Sequence, residues 1–217
     1  KKYLYSAGTT EEHRRRHEEV VDEFGTLYLQ YEPEYWWFEV VIIMHKMIMT
    51  GAMHEDGLAD CADGFWGGFD PDRRLEIMKD SQIGTYGVLA LVIFSGLRWL
   101  ALSAVISLGF AGVMAAAVLS RGVLPAIMAM VIHARDTGLS HSVGRPTQQA
   151  AATSFAAACV LALILIGSSA ISAAIITALI AFAVAKLAKV KVGGQTGDVL
   201  GATQVLCETA ILIFLIA

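Results

Sequence analysis

From residue 85 to the C-terminus the chain alternates long apolar runs with short polar breaks. The runs fall at roughly 85–108, 111–133, 150–167, 170–186 and 199–217, each close to the length at which a helix crosses a hydrocarbon core. An earlier run, 36–53, opens on Trp36-Trp37 and carries Glu39, His45 and Lys46. Tryptophan pairs favour the membrane interface, so this run predicts a further span whose polar face points into protein. Residues 1–35 are polar and aromatic, and the mixed charges of Glu11–Glu19 suit a solvated or interfacial helix. The Gly67-Gly68 and Asp70-Pro71 steps mark a loop, and Asp70 is placed to cap a short helix starting at Pro71. The expected fold is an all-α, polytopic integral membrane helix bundle of about six membrane segments plus a short cytoplasmic helix. Residues 1–35 are expected to form a polar N-terminal segment and residues 36–217 a membrane-embedded domain.

Composition sharpens this division. The chain is 56% hydrophobic and 17% charged, against about a quarter charged in ordinary soluble domains. Of its 36 Lys, Arg, Asp and Glu residues, 26 fall in 1–82 and 10 in 83–217, so the bilayer is the expected surrounding of the second part. Counting spans puts the loops 64–83, 134–149 and 187–198 on one side of the membrane. Arg135, Arg145, Lys189 and Lys191 lie in two of them, which makes that side cytoplasmic by the positive-inside rule. A net charge of −4 gives no argument for nucleic-acid binding, and three cysteines without CxxC spacing indicate neither a disulfide framework nor a zinc site.

The candidate chemistry begins at His54-Glu55-Asp56-Gly57-Leu58-Ala59-Asp60-Cys61-Ala62-Asp63-Gly64. Asp56, Asp60 and Asp63 stand at i, i+4 and i+7 and share one face of a helix. Three like charges on one stripe repel, and a divalent cation relieves the repulsion; oxygen ligands suit a hard ion such as Mg²⁺, which shares itself with substrate phosphates. The alternative is a solvated acidic face. Two arginines stand at membrane depth, Arg98 and Arg121, where an unpaired guanidinium costs a few kcal/mol. They serve an anion in a polar cavity, or else form a structural ion pair or snorkel to the interface. The stretch Gly193-Gly194-Gln195-Thr196-Gly197-Asp198 is either a loop whose glycines let backbone N–H groups approach phosphate or an interhelical turn with an N-cap. Asp198 is placed to join the metal site, and Glu208 lies ten residues on in an apolar span.

Together these pieces resemble the adenosylcobinamide-GDP ribazoletransferase, or cobalamin synthase, family. The resemblance rests on His54–Asp60 with Asp63-Gly64, on Arg74–Ser81 with Ile83-Gly84, on Ser120-Arg121, and on Gly193–Ala202. It covers residues from about 45 to the C-terminus. Residues 1–35 lack the hydrophobic helix with a Thr-Arg-x-Pro-type motif with which members begin. Glu55 stands where an apolar residue is common, and Arg98 where lysine is expected.

The resemblance implies a Mg²⁺-dependent phosphotransferase of the cell inner membrane. It implies joining of adenosylcobinamide-GDP to α-ribazole (or its 5′-phosphate) at the cytoplasmic face, with release of GMP. Asp56, Asp60, Asp63 and Asp198 are then the expected metal ligands, and His54 either donates to a phosphate or caps the acidic helix. Arg74, Lys79, Arg98 and Arg121, with Gly194, Gln195 and Thr196, are the expected phosphate-binding set, supported by Asp80, Ser81 and Glu208. The lipid bilayer is an expected partner, and a homo-oligomer fits as well. Two rival readings follow from the same residues. One is a CDP-alcohol-type lipid phosphotransferase; the other is an anion transporter whose Arg98, Arg121 and Glu208 line the path, though no internal repeat is visible.

Overall fold

The computed structural model describes residues 53–217, and every regular element among them is helical. The expected polar segment 1–35 and all but the last residue of the expected span 36–53 lie outside the described residues.

The acidic motif forms α1 (Met53–Gly67), and a short helix α2 (Pro71–Ile77) follows. Asp70 caps α2, its carboxylate accepting from the Arg73 amide at 2.9 Å, with Pro71 in the first turn, where its missing N–H costs nothing. The apolar runs become α3 (Thr85–Leu108), α4 (Phe110–Gly122), α5 (Leu124–Met130), α7 (Gln148–Ile166), α8 (Ser169–Val192) and α9 (Gly197–Ile216). Among the described residues, five stretches are long and apolar enough to cross a membrane, α4 and α5 together making one of them. The chain is therefore a polytopic membrane helix bundle.

Three details differ from the hydrophobic pattern. The second run breaks at Val123 into α4 and α5, because Pro125 lacks an N–H and its ring crowds the preceding turn. The loop 134–149 contains a short helix, α6 (Leu139–Val143). In addition, α8 runs six residues beyond the apolar boundary at 186, carrying Lys189 and Lys191 out on a continuous helix.

The axis of the bundle is α9. In its most apolar window 61% is buried, against 17–39% for the other four spans. At one end Ile211 and Leu212 of α9 pack with Leu119 of α4, Val105 of α3 and Ala162 of α7. At the other, Val199, Ala202 and Val205 pack with Leu58, Cys61 and Phe65 of α1 and with Val184 and Val192 of α8. Glycines bring α1 and α9 into backbone contact. A Cβ on Gly57 would lie 2.6 Å from the Asp198 carbonyl oxygen, and one on Gly201 3.0 Å from the His54 Cα. The acidic face of α1 is thereby set against the first turn of α9.

Candidate active site

The first turn of α9 supplies Asp198. Thr196 is the N-cap: its hydroxyl accepts from the Val199 amide at 3.2 Å and lies 3.2 Å from the Asp198 carboxylate, to which it donates. Arg135, from the loop after α5, places Nη2 3.0 Å from the same carboxylate. Its Nη1 is buried and finds no hydrogen-bond acceptor among the described residues. A guanidinium with one arm committed and one idle is prepared for an anionic oxygen.

Asp60 faces this pair across the helix contact. Burial pushes its carboxyl up to about 7, with the negative charges of Asp56, Asp198 and Asp63 adding to the shift. Asp56 is exposed beside it. Burial holds the His54 imidazole below its ordinary value, and the nearby Arg121 cation adds to this. His54 thus favours the neutral ring.

Asp63 is placed differently from its two companions on the stripe. Its carboxylate accepts from the Gly84 amide at 2.7 Å and from the Gly87 amide at 2.9 Å, closing the N-terminus of α3. The glycines at 84 and 87 let the carboxylate come this close, since a Cβ at either would meet it. Among the described residues, no three His, Cys, Asp or Glu side chains converge closely enough to enclose an ion. The donor chemistry nevertheless fits a hard cation: Asp56, Asp60 and Asp198 are oxygen donors, and the charges of the other two add to the burial that raises the Asp60 carboxyl.

The expected phosphate-binding residues fall into separate places. Arg74 is a clamp, donating to the carbonyls of Gly68, Phe69 and Lys191 and so tying the loop before α2 to the end of α8. Lys79 and Ser81 are exposed, and Asp80 accepts from the Gln82 amide. Arg121 is exposed and donates to the Ala117 carbonyl. Gln195 is buried: its backbone bridges Ile132 and Ala134, and its side chain lies between the Ser140 hydroxyl at 2.6 Å and His133 Nδ1 at 2.9 Å. Gly194 sits where a Cβ would strike the Ile132–Ala134 backbone. In this arrangement the glycine loop meets a second loop, and the meeting holds Arg135 beside Asp198.

Arg98 is buried on α3 between two carboxylates, Nη1 at 2.6 Å from Glu55 and Nη2 at 3.0 Å from Glu208. Gln204 also donates to Glu208, and Arg121 lies 3.9 Å from it. Glu55 and Arg98, the two residues at which the resemblance departs within the motifs and spans, thus meet each other. Among the proposed transporter residues, Arg98 and Glu208 close on one another instead of lining a path.

Sequence reasoning passed over Arg135, Gln204 and the pair His133 and His141, whose rings lie 5.3 Å apart. The available signal for Arg135 was its place in a basic loop on the same side as the glycine loop.

An acidic helix packed on an apolar axis, with an arginine and a capped aspartate at one end of five spans, defines a membrane enzyme site for a charged substrate. A family model described as cobalamin-5-phosphate synthase matches residues 24–216, and the chain belongs to that family. The match begins about twenty residues before the point at which the motifs become legible.

Among curated relatives, the adenosylcobinamide-GDP ribazoletransferase of Bradyrhizobium diazoefficiens is 44% identical over 169 residues, covering 76% of this chain and 65% of that one. Proteins of the same name from Brucella anthropi and Sinorhizobium medicae are 43% and 41% identical, over 77% and 79% of this chain and 68% and 70% of theirs. The chain therefore spans about two thirds of the length of these relatives. No solved structure matches it.

Proposed function

We propose that this chain carries the activity for which its relatives are named, joining adenosylcobinamide-GDP to α-ribazole or its 5′-phosphate to give the cobalamin or the cobalamin 5′-phosphate, with release of GMP. The site lies on the cytoplasmic face of the cell inner membrane, the side that the basic loops mark. The observation that carries the reading is the close contact that sets the acidic face of α1 against Asp198, beside an arginine that holds Asp198 with one arm and leaves the other idle.

In this reading Asp56, Asp60 and Asp198 would hold Mg²⁺, with Asp63 committed to the amides of α3. Bound there, the ion would supply charge neutralisation on the diphosphate and on the leaving GMP. Arg135 Nη1 binds a phosphate oxygen and fixes the diphosphate against α9. A ribose hydroxyl oxygen that α-ribazole and its 5′-phosphate both leave free, and so not the 5′ oxygen, forms the new bond to the cobinamide-bearing phosphorus, and the bond from that phosphorus to the bridging oxygen breaks. GMP leaves with the bridging oxygen, and the hydroxyl proton passes to a carboxylate of the acidic cluster. Positioning and charge do most of the work in such a transfer.

The test is GMP release by detergent-solubilised protein given Mg²⁺, adenosylcobinamide-GDP and α-ribazole. Asp60→Asn abolishes release while the protein stays folded. Release that survives this substitution overturns the assignment of the acidic cluster.

A further inference from the structure

A groove of about 600 Å³ runs between α5, α7 and α8, away from the acidic site. Ile127 of α5, Phe155 of α7, and Ala181 and Phe182 of α8 line it, and its walls are almost wholly apolar. Lys186 and Lys189 complete it at one end. Both are exposed, and neither ammonium has an ion-pair partner among the described residues.

The dimensions set the occupant. At 1.5 Å per residue, the α8 stretch from Ala178 to Lys189 rises about 16 Å, close to half of a hydrocarbon core of about 30 Å. The groove therefore runs from near the bilayer midplane to one interface, the depth of a single leaflet. Its apolar walls exclude a nucleotide or a sugar, whose polar groups would go unsatisfied there. The lysines stand at i and i+3 on one helix face. Their stems line the groove, and their ammonium groups extend to the headgroup level.

We propose that this groove is a binding site for an anionic phospholipid, one acyl chain lying along α8 and the headgroup phosphate meeting Lys186 and Lys189. A polybasic pair at this depth favours anionic over zwitterionic headgroups, roughly tenfold or more for two lysines. The wall formed by α5 leads directly into the His133–Arg135 loop, so an occupied groove also braces the segment that carries Arg135.

Native mass spectrometry of the full chain, delipidated in detergent and titrated with phosphatidylglycerol or phosphatidylcholine, tests this. The expected result is preferential retention of phosphatidylglycerol by roughly tenfold. The Lys186→Gln/Lys189→Gln double variant loses the preference and keeps its helical circular dichroism. Ala178→Phe, which plugs the groove from an exposed position, loses retention of both lipids. Equal retention of the two lipids by the unmodified protein overturns the proposal, as does unchanged preference in the lysine variant. Because lipid retention is the readout, the outcome is independent of whether GMP is released.

Discussion

Gly57→Ala tests the link between helix packing and chemistry most directly. The added Cβ would lie 2.6 Å from the Asp198 carbonyl oxygen and 2.8 Å from its Cα. Ordinary contact begins at 3.4 Å, so α1 and the first turn of α9 must separate by about 0.8 Å. Backbone offers no rotamer through which to yield. Overpacking of this kind costs about 1–3 kcal/mol, while alanine in a helix interior returns about 1 kcal/mol relative to glycine. Net destabilisation is therefore small, on the order of 0–2 kcal/mol. The displacement falls between Asp60 and Asp198, where a shift of about 1 Å is worth roughly a hundredfold in rate. The assay is GMP release at saturating Mg²⁺, alongside thermal unfolding in the same detergent. Gly96→Ala is the control, since nothing lies within 4 Å of a Cβ there; it should be stabilising by up to about 1 kcal/mol with turnover unchanged. Wild-type turnover in Gly57→Ala would falsify the claim that this close approach sets the site.

Three further outcomes follow from the same geometry. Asp63→Asn keeps one amide acceptor and loses the other, so it lowers stability by about 1–3 kcal/mol, whereas Asp60→Asn removes repulsion and leaves the unfolding temperature at pH 8 unchanged or higher; equal losses in the two would refute the division of roles. The Asp60 carboxyl stands at about 7 in the fold against 3.8 as its ordinary value, so the folded state holds the extra proton, and without metal its stability falls as pH rises through that window. Because Mg²⁺ takes only the ionised form, the half-saturating Mg²⁺ concentration for turnover should fall roughly tenfold between pH 6 and pH 8, and a flat dependence counts against Asp60 as a ligand. Arg98→Met leaves Glu55 and Glu208 facing each other without the guanidinium between them and should cost about 3–5 kcal/mol. Adding Glu55→Leu should recover part of that loss in thermal unfolding, and a double variant no better than the single refutes the coupling.

The sequence by itself determined the class of fold and the place of the acidic helix. Apolar run length depends on the thickness of the bilayer, a constraint that acts on consecutive residues, so the five spans among the described residues were legible to within about three residues at their ends, except that α8 runs six residues further. Asp70 before Pro71 is equally local, and α2 starts there.

Only the tertiary structure decided which charges face which. Asp63 shares the helical stripe of Asp60, yet it turns to the amides of α3, because α3 begins beside it and leaves N–H groups to be satisfied. Arg98 and Glu55 are 43 residues apart, and Arg135 and Asp198 are 63 apart. No spacing rule joins such pairs, because one depends on where α1 packs against α3 and the other on where the loop before α9 meets the loop after α5, a meeting that the absence of a Cβ at Gly194 permits.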